Sequence, residues 1–389
     1  MLPLQGHLFP MVAIGQQLVH SGQDVVWCGP ENVLRPLVGP DATVHPTGVR
    51  AYRRYDETGM AGVRALWDGY LIPFSRFILD PVDTAVTEHQ PDVVVVEQYA
   101  LAAAAVAHRR GVPWATVCTG TLELTPPPEL PEFASFVTDR VATLLAMAGL
   151  PADEPVDPRF SPHLVLALMS PALSGAAALP DRCVFTGAAL GTRPNAPDFP
   201  WHAWDSASKH VLVTVGTLVG HMIGDFYQRV AAALAPMAPD VQAVFVTSGV
   251  AADSFPANAI TAELVPMLEL MPRLDAVVCH AGGAVNEALA CGVPLVVAPV
   301  RAEQTALAHQ VAAAGAGIEI SILDATTAEI GVTISAVLDK PDYRRNAGRI
   351  GAEFAAAGGA AAAAAHLVAL ASGVAPPSAA TMAGWTVIR

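Results

Sequence analysis

Short apolar runs rich in valine alternate along the chain with longer stretches in which apolar residues recur every three or four positions. In the first half, "DVVWC" (24–28), "DVVVV" (92–96) and "WATVC" (114–118) read as buried strands. Met11, Ile14 and Leu18 fall at helical spacing, and Gly22 reads as the residue that ends their helix. The second half repeats the theme with "HVLVTV" (210–215), "VQAVFV" (241–246), "DAVVC" (275–279) and "PLVVAP" (294–299). Strands alternating with helices predict parallel sheet covered by crossover helices, an α/β fold. "TRPNAPDFPWHAW" (192–204) carries Pro194, Pro197 and Pro200 with little periodicity and reads as a linker. The expected division is a Rossmann-like domain over 1–195, a linker over 196–208, and a second Rossmann-like domain over 209–373. Helices from about 326 close its end, and a tail follows over 374–389. A sheet of this kind expects a strand before its first helix, yet only "MLPL" precedes Gln5. Either the start is truncated or the first domain lacks its central strand.

A chain of 389 residues accommodates two domains, and 53% hydrophobic against 14% charged residues supplies a large core. The formal charge of −14 argues against nucleic acid and anionic membranes as partners. Cys28, Cys118, Cys183, Cys279 and Cys291 are odd in number and lack metal-ligand spacing, so reduced thiols of a cytoplasmic protein are expected. No basic segment followed by an apolar one opens the chain, and no signal peptide is expected. Phe354 to Ala375 carries His366 as its one ionisable side chain. Its residues are mostly Ala and Gly, which favours a helix packed on the protein over a membrane span.

Ligands of doubly wound sheets bind beyond the carboxyl ends of the strands. His7 lies where a first strand would end, Glu97 follows "DVVVV", and Gly216-Thr217 follow the first strand of the second half. His280 follows "DAVVC", and Glu303-Gln304 come shortly after "PLVVAP". Two such edges facing one another would make a cleft. In "HAGGAVNEALACGVP" (280–294), Gly282 and Gly283 let backbone approach a ligand closely, and a helix is expected from about Ala284. Glu287 could then accept from ribose hydroxyls.

His280 with Gly282-Gly283, then Glu287, Gly292-Val293-Pro294, Pro299 and Glu303-Gln304 resembles the donor-binding signature of GT-B nucleotide-sugar glycosyltransferases. "GHLFPMVAIGQQLVHSGQDVV" resembles the opening of the same UDP-glycosyltransferase and antibiotic (polyketide, enediyne) glycosyltransferase family, and "VTVGT" (213–217) its first C-terminal strand and phosphate loop. The resemblance covers nearly the whole chain. It implies two Rossmann-like domains facing across a cleft, with C-terminal helices closing the end. It also implies metal-independent, inverting transfer of a sugar from a dTDP- or UDP-sugar to a small hydrophobic natural-product acceptor.

By the resemblance, His7 is the catalytic base and Glu97 its acidic partner. Gly216, Thr217, His280, Gly282 and Gly283 hold the diphosphate. Val265, Met267 and Glu287 meet the nucleoside, and Glu303 and Gln304 the sugar. No metal or cofactor is implied, and no Asp-x-Asp grip on a metal–diphosphate occurs. Glu287 stands seven residues after His280 where the family has eight, a rotation of about 100° on a helix. Met267 replaces the family's usual Gln after Val-Pro. Segments 50–90 and 119–148 would build the acceptor pocket, with Tyr52, Trp67, Tyr70 and Phe74 as candidate walls. A homodimer is left open. Two alternatives stand beside this reading: a non-catalytic helper of the same fold, and a nucleotide-sugar epimerase.

Overall fold

Each valine-rich run becomes a short parallel strand, and the segments of helical period become the crossovers between strands. The computed structural model describes residues 4–50, 56–151, 153–175, 179–194, 196–216, 222–247 and 255–374. The chain divides into two units: Met1–Ser170, Ala176–Pro194 and Ala357–Arg389 form the first, Pro171–Gly175 and Asn195–Ala356 the second.

In the second unit, six strands make one parallel sheet: β7 (Lys209–Thr214), β8 (Val241–Val246), β9 (Ile260–Ala262), β10 (Ala276–Cys279), β11 (Leu295–Val297) and β12 (Gly317–Glu319). Their spatial order is β12-β11-β10-β7-β8-β9. The chain thus winds outward from β7 through β8 and β9, then returns to start the other half at β10. The order reverses between β7 and β10, which pair with Cys279 opposite Thr214. That reversal leaves a crevice where the two crossovers depart in opposite directions. Val211, Val213, Val278, Val296 and Phe245 are fully buried in the core beneath it.

The first unit contains β1 (Val26–Gly29), β2 (Thr43–Pro46), β3 (Val94–Glu97), β4 (Trp114–Cys118), β5 (Leu164–Ala167) and β6 (Cys183–Phe185). Its parallel strands form two sheets, β1-β2 and β3-β4-β5-β6. Among the described residues no strand precedes the first helix, α1 (Gln5–His20). Two hydrophobic clusters meet on this helix. Leu8 and Val12 pack with Trp27 and Leu34, while Met11, Ala13 and Ile14 pack with Ala115, Val117, Leu164 and Leu166. Residue 7 is therefore placed by the first turn of a doubly anchored helix and not by a strand end.

The remaining helices of the first unit before its last are α2 (Glu31–Val38), α3 (Gly59–Leu66), α4 (Ile72–His89), α5 (Leu101–Arg110) and α6 (Phe133–Met147). The second unit holds α7 (Pro171–Ser174), α8 (Phe226–Leu234), α9 (Met267–Leu270), α10 (Ala284–Ala290), α11 (Ala302–Ala313), α12 (Thr327–Asp339) and α13 (Pro341–Ala357). The last helix, α14 (Gly359–Ala371), departs from the expected division. It belongs to the first unit, not to a domain running to 373. Ala360, Ala363, Leu367 and Leu370 join the cluster that contains Met11 and Ile14, so burying this apolar face holds the helix there. The run Pro341–Ala371 is long and apolar enough to cross a membrane by composition alone. It is two helices, broken at Gly358 (φ +85°).

Two glycines of α13 test the packing with opposite signs. A Cβ on Gly348 would meet nothing within 4 Å, whereas one on Gly351 would lie 2.5 Å from the backbone oxygen of Leu289. Gly348→Ala should stabilise the protein by up to about 1 kcal/mol through helix propensity. Gly351→Ala should destabilise it by about 1–3 kcal/mol, because a backbone carbonyl cannot step aside. Denaturant midpoints of the two variants check both signs.

Candidate active site

β3 and β4 lie side by side with Glu97 opposite Val117, so the two strands end together at the carboxyl edge of their sheet. Glu97 is the last residue of β3 and is only 1% exposed. A carboxylate so deeply buried must be met by donors. Its Oε1 lies 2.7 Å from His7 Nδ1 and accepts from Thr119 Oγ1 at 3.0 Å; its Oε2 accepts from the Tyr99 backbone N–H at 3.2 Å. Thr119 Oγ1 also lies 3.0 Å from His7 Nδ1. The Tyr99 ring stands 5.5 Å from the imidazole, tilted by 50°.

The chemistry of this cluster follows from what each group can donate. A carboxylate only accepts, so the network assigns the hydrogen of the neutral imidazole to Nδ1 and its lone pair to Nε2. The His7 side chain is 23% exposed while Glu97 is sealed beneath it. A half-buried imidazole held through Nδ1 by a carboxylate is equipped to take a proton at Nε2 and to have the resulting charge stabilised. The sequence pattern pointed to His7 and Glu97, and the structure joins them. It did not point to Thr119 or Tyr99.

The second unit brings another set together at its topological switch point. Gly216 follows β7 and His280 follows β10. A Cβ on Gly216 would come within 2.8 Å of the His280 ring, and one on Gly282 within 2.6 Å. The imidazole is wedged between two positions that must lack side chains, and Gly216 also holds φ +69°. Ala281, between His280 and Gly282, takes φ +60°, uncommon for a residue with a side chain. Burial depresses the His280 imidazole to about 4, opposed by the Thr214 backbone and reinforced by the charge of Arg301. At neutral pH His280 is therefore an uncharged ring with a single N–H. Its Nδ1 finds no partner at hydrogen-bond distance among the described residues. Arg301, 2% exposed, was not singled out by the sequence pattern.

The other expected residues are placed less uniformly. Gly283 is the residue that starts α10, and Glu287 within that helix is buried, its charge felt by the thiols of Cys279 and Cys291. Val265 is buried, and Met267 opens α9 half-buried. Glu303 stands half-buried in the first turn of α11. Gln304 Oε1 accepts from the backbone N–H groups of Val300 (2.9 Å) and Arg301 (3.1 Å), capping its own helix. Thr217 and Tyr52 lie outside the described residues. Trp67, Tyr70 and Phe74, the candidate acceptor walls, are at most 2% exposed and belong to the core. Among the described residues, His45, Glu88 and His89 bring potential metal-ligand atoms within 4.8 Å of one another, and none of them belongs to either cluster.

Residues 237–370 match the erythromycin biosynthesis protein CIII-like C-terminal domain. The chain is 28% identical over 409 residues to 4'-demethylrebeccamycin synthase of Lentzea aerocolonigenes, covering 91% of this chain and 94% of that protein. It is 28% identical over 383 residues to elloramycin glycosyltransferase ElmGT of Streptomyces olivaceus, covering 90% and 91% of the two chains. Its fold is that of glycosyltransferase VinC, solved in complex with dTDP, with a TM-score of 0.71 at 19% identity over 95% of this chain and 97% of that one. The chain is a glycosyltransferase of GT-B fold, similar over most of its length to antibiotic glycosyltransferases. In this glycosyltransferase the switch-point cluster at Gly216 and His280 lies in the second unit, and the His7–Glu97 pair in the first.

The depressed His280 ring sets a pH dependence. An unfolded chain takes up a proton on histidine near pH 6.5, while folded His280 resists until about 4. In that window the unfolded state binds more protons, so stability falls as pH falls from the upper limit towards the lower. His280→Asn should flatten this acid-side loss, seen as a smaller drop in denaturant midpoint between about pH 7 and pH 5 than in the wild type.

Proposed function

We propose that this glycosyltransferase moves a sugar from a dTDP- or UDP-linked donor to a hydroxyl of a small hydrophobic natural product, by a single inverting displacement without a metal ion. The 2.7 Å contact between His7 Nδ1 and buried Glu97 carries the reading. In the step, Nε2 of His7 takes the acceptor's hydroxyl proton as that oxygen attacks the anomeric carbon. The bond from that carbon to the diphosphate breaks, and the nucleoside diphosphate leaves with the electron pair. Attack opposite the leaving group inverts the centre. Glu97 stabilises the imidazolium formed, as an acid partner does in other histidine–carboxylate pairs.

Donor binding is proposed for the switch point. His280 presents an uncharged polar ring, Gly216 and Gly282 leave no room for side chains beside it, Gly283 lets backbone approach a ligand closely, and the charge of buried Arg301 is felt by the ring. Thr217, Val265, Met267, Glu287 and Glu303 keep their proposed donor roles, and Gln304 contributes through its amide NH2 group. Relatives named for rebeccamycin and elloramycin chemistry support a natural-product acceptor, and the dTDP held by VinC supports a thymidine donor.

Calorimetric titration with dTDP and UDP in chelator-treated buffer tests the donor half. Binding of one or both is expected, and binding of neither contradicts it. His7→Ala should keep the wild-type nucleotide affinity and lower transfer by at least about 100-fold. Transfer at the wild-type rate in that variant would remove His7 as base.

A further inference from the structure

We propose that Thr119 is the residue that positions the base: its hydroxyl closes a three-membered hydrogen-bonded ring with His7 Nδ1 and Glu97 Oε1, fixing the imidazole tautomer and moderating the carboxylate. The inference rests on the reading of His7 as base and adds a third member to it. The three atoms are separated by 2.7, 3.0 and 3.0 Å. Two hydrogens serve these three contacts. The threonine hydrogen goes to Glu97 Oε1, which can only accept. The Nδ1 hydrogen is then shared between Glu97 Oε1 and the free lone pair of Thr119 Oγ1. No arrangement with a bare Nδ1 satisfies both acceptors, so Nε2 is left with the lone pair.

Thr119 is itself held on both sides. Before it, the Cys118 carbonyl accepts from the Leu168 N–H at 3.1 Å; after it, the Gly120 N–H donates to Gln98 Oε1 at 3.0 Å. Gln98 in turn donates its backbone N–H to Val117 O at 3.0 Å, so the side chain that grips Gly120 springs from a residue tied to β4. These clamps leave the hydroxyl little freedom to leave the ring, the support a preorganised catalytic group needs.

The electrostatic consequence has a definite sign. The groups facing His7 include the Glu97 carboxylate from β3, the Thr119 hydroxyl from the end of β4 and the Tyr99 ring from the segment after β3. The Cys118 thiol beside Thr119 is kept neutral, chiefly by burial and further by Cys183 and Glu97. Glu97 is thus the anion that draws a proton onto the imidazole, and the Thr119 hydroxyl draws off part of its charge. Without that hydroxyl, Glu97 holds the imidazolium more strongly, and His7 stays protonated to higher pH.

Two-bond proton–nitrogen correlation spectra of the histidine rings in the full chain test this without any substrate. They would be recorded between about pH 5 and pH 9. H7Q identifies the His7 signals by their loss. The wild type should show the neutral ring with its hydrogen on Nδ1. T119V should raise the His7 titration midpoint by about half a pH unit, T119S should stay within about 0.2 of the wild type, and E97Q should lower the midpoint. If valine prevents folding, T119A removes the same hydroxyl. A midpoint and tautomer unchanged by loss of the hydroxyl, with E97Q still lowering the midpoint, overturns the role of Thr119 alone. If E97Q also leaves the midpoint unmoved, the His7–Glu97 reading falls with it.

Discussion

A carboxylate sealed at the end of β3 must find donors, and the site in the first unit is organised around that requirement. Glu97 is satisfied by an imidazole from the first turn of α1, a hydroxyl from the end of β4 and a backbone N–H two residues on. Each donor arrives on a different segment, so the contact depends on those segments being fixed relative to one another. The pairing of β3 with β4 sets the threonine, and the two hydrophobic clusters meeting on α1 set the histidine. α14 extends one of those clusters, so the last described helix of the chain helps hold the helix that carries His7. Packing is thereby linked to chemistry: a shift of α1 that its core contacts resist would break the 2.7 Å contact.

The second unit solves a different problem. Strand order 3-2-1-4-5-6 opens a crevice at β7 and β10, and a ring placed there must be accommodated closely. Gly216 and Gly282 provide the space, and burial keeps the ring uncharged. The ring is thus an uncharged polar group within reach of the charge of Arg301. The two histidines therefore sit in opposite surroundings, His7 with a carboxylate 2.7 Å away and His280, among the described residues, with no carboxylate at hydrogen-bond distance.

Much of this was legible from the chain because valine-rich runs of four to six residues have few alternatives to a buried strand. β3, β4, β7, β8, β10 and β11 fall on such runs. β2 ("TVHP"), β6 ("CVF"), β9 ("ITA") and β12 ("GIE") are too short or too polar to stand out, and β5 ("LVLA") lacks the β-branched density that separates strand from helix. The periodicity of α14 identified a helix but carried no information about which core its apolar face would join. The strand-end rule found Glu97, Gly216 and His280 because each follows or ends an apolar run, whereas His7 sits in the first turn of α1. Thr119 obeys the same rule after "WATVC", yet its partnership with Glu97 depends on the β3–β4 register. Gln304 shows the reverse case, a residue whose spacing suggested a ligand while its carbonyl is committed to its own helix.

The most direct test of the His7–Glu97 pair as a single catalytic unit is a double-mutant cycle on the rate of sugar transfer, with H7Q, E97Q and the double variant measured beside the wild type. If Glu97 acts through His7, E97Q slows the wild type by about 100-fold or more but the H7Q enzyme by less than about twofold. Equal losses in both backgrounds would mean that the two residues act independently, and the central contact of the first unit would be structural only.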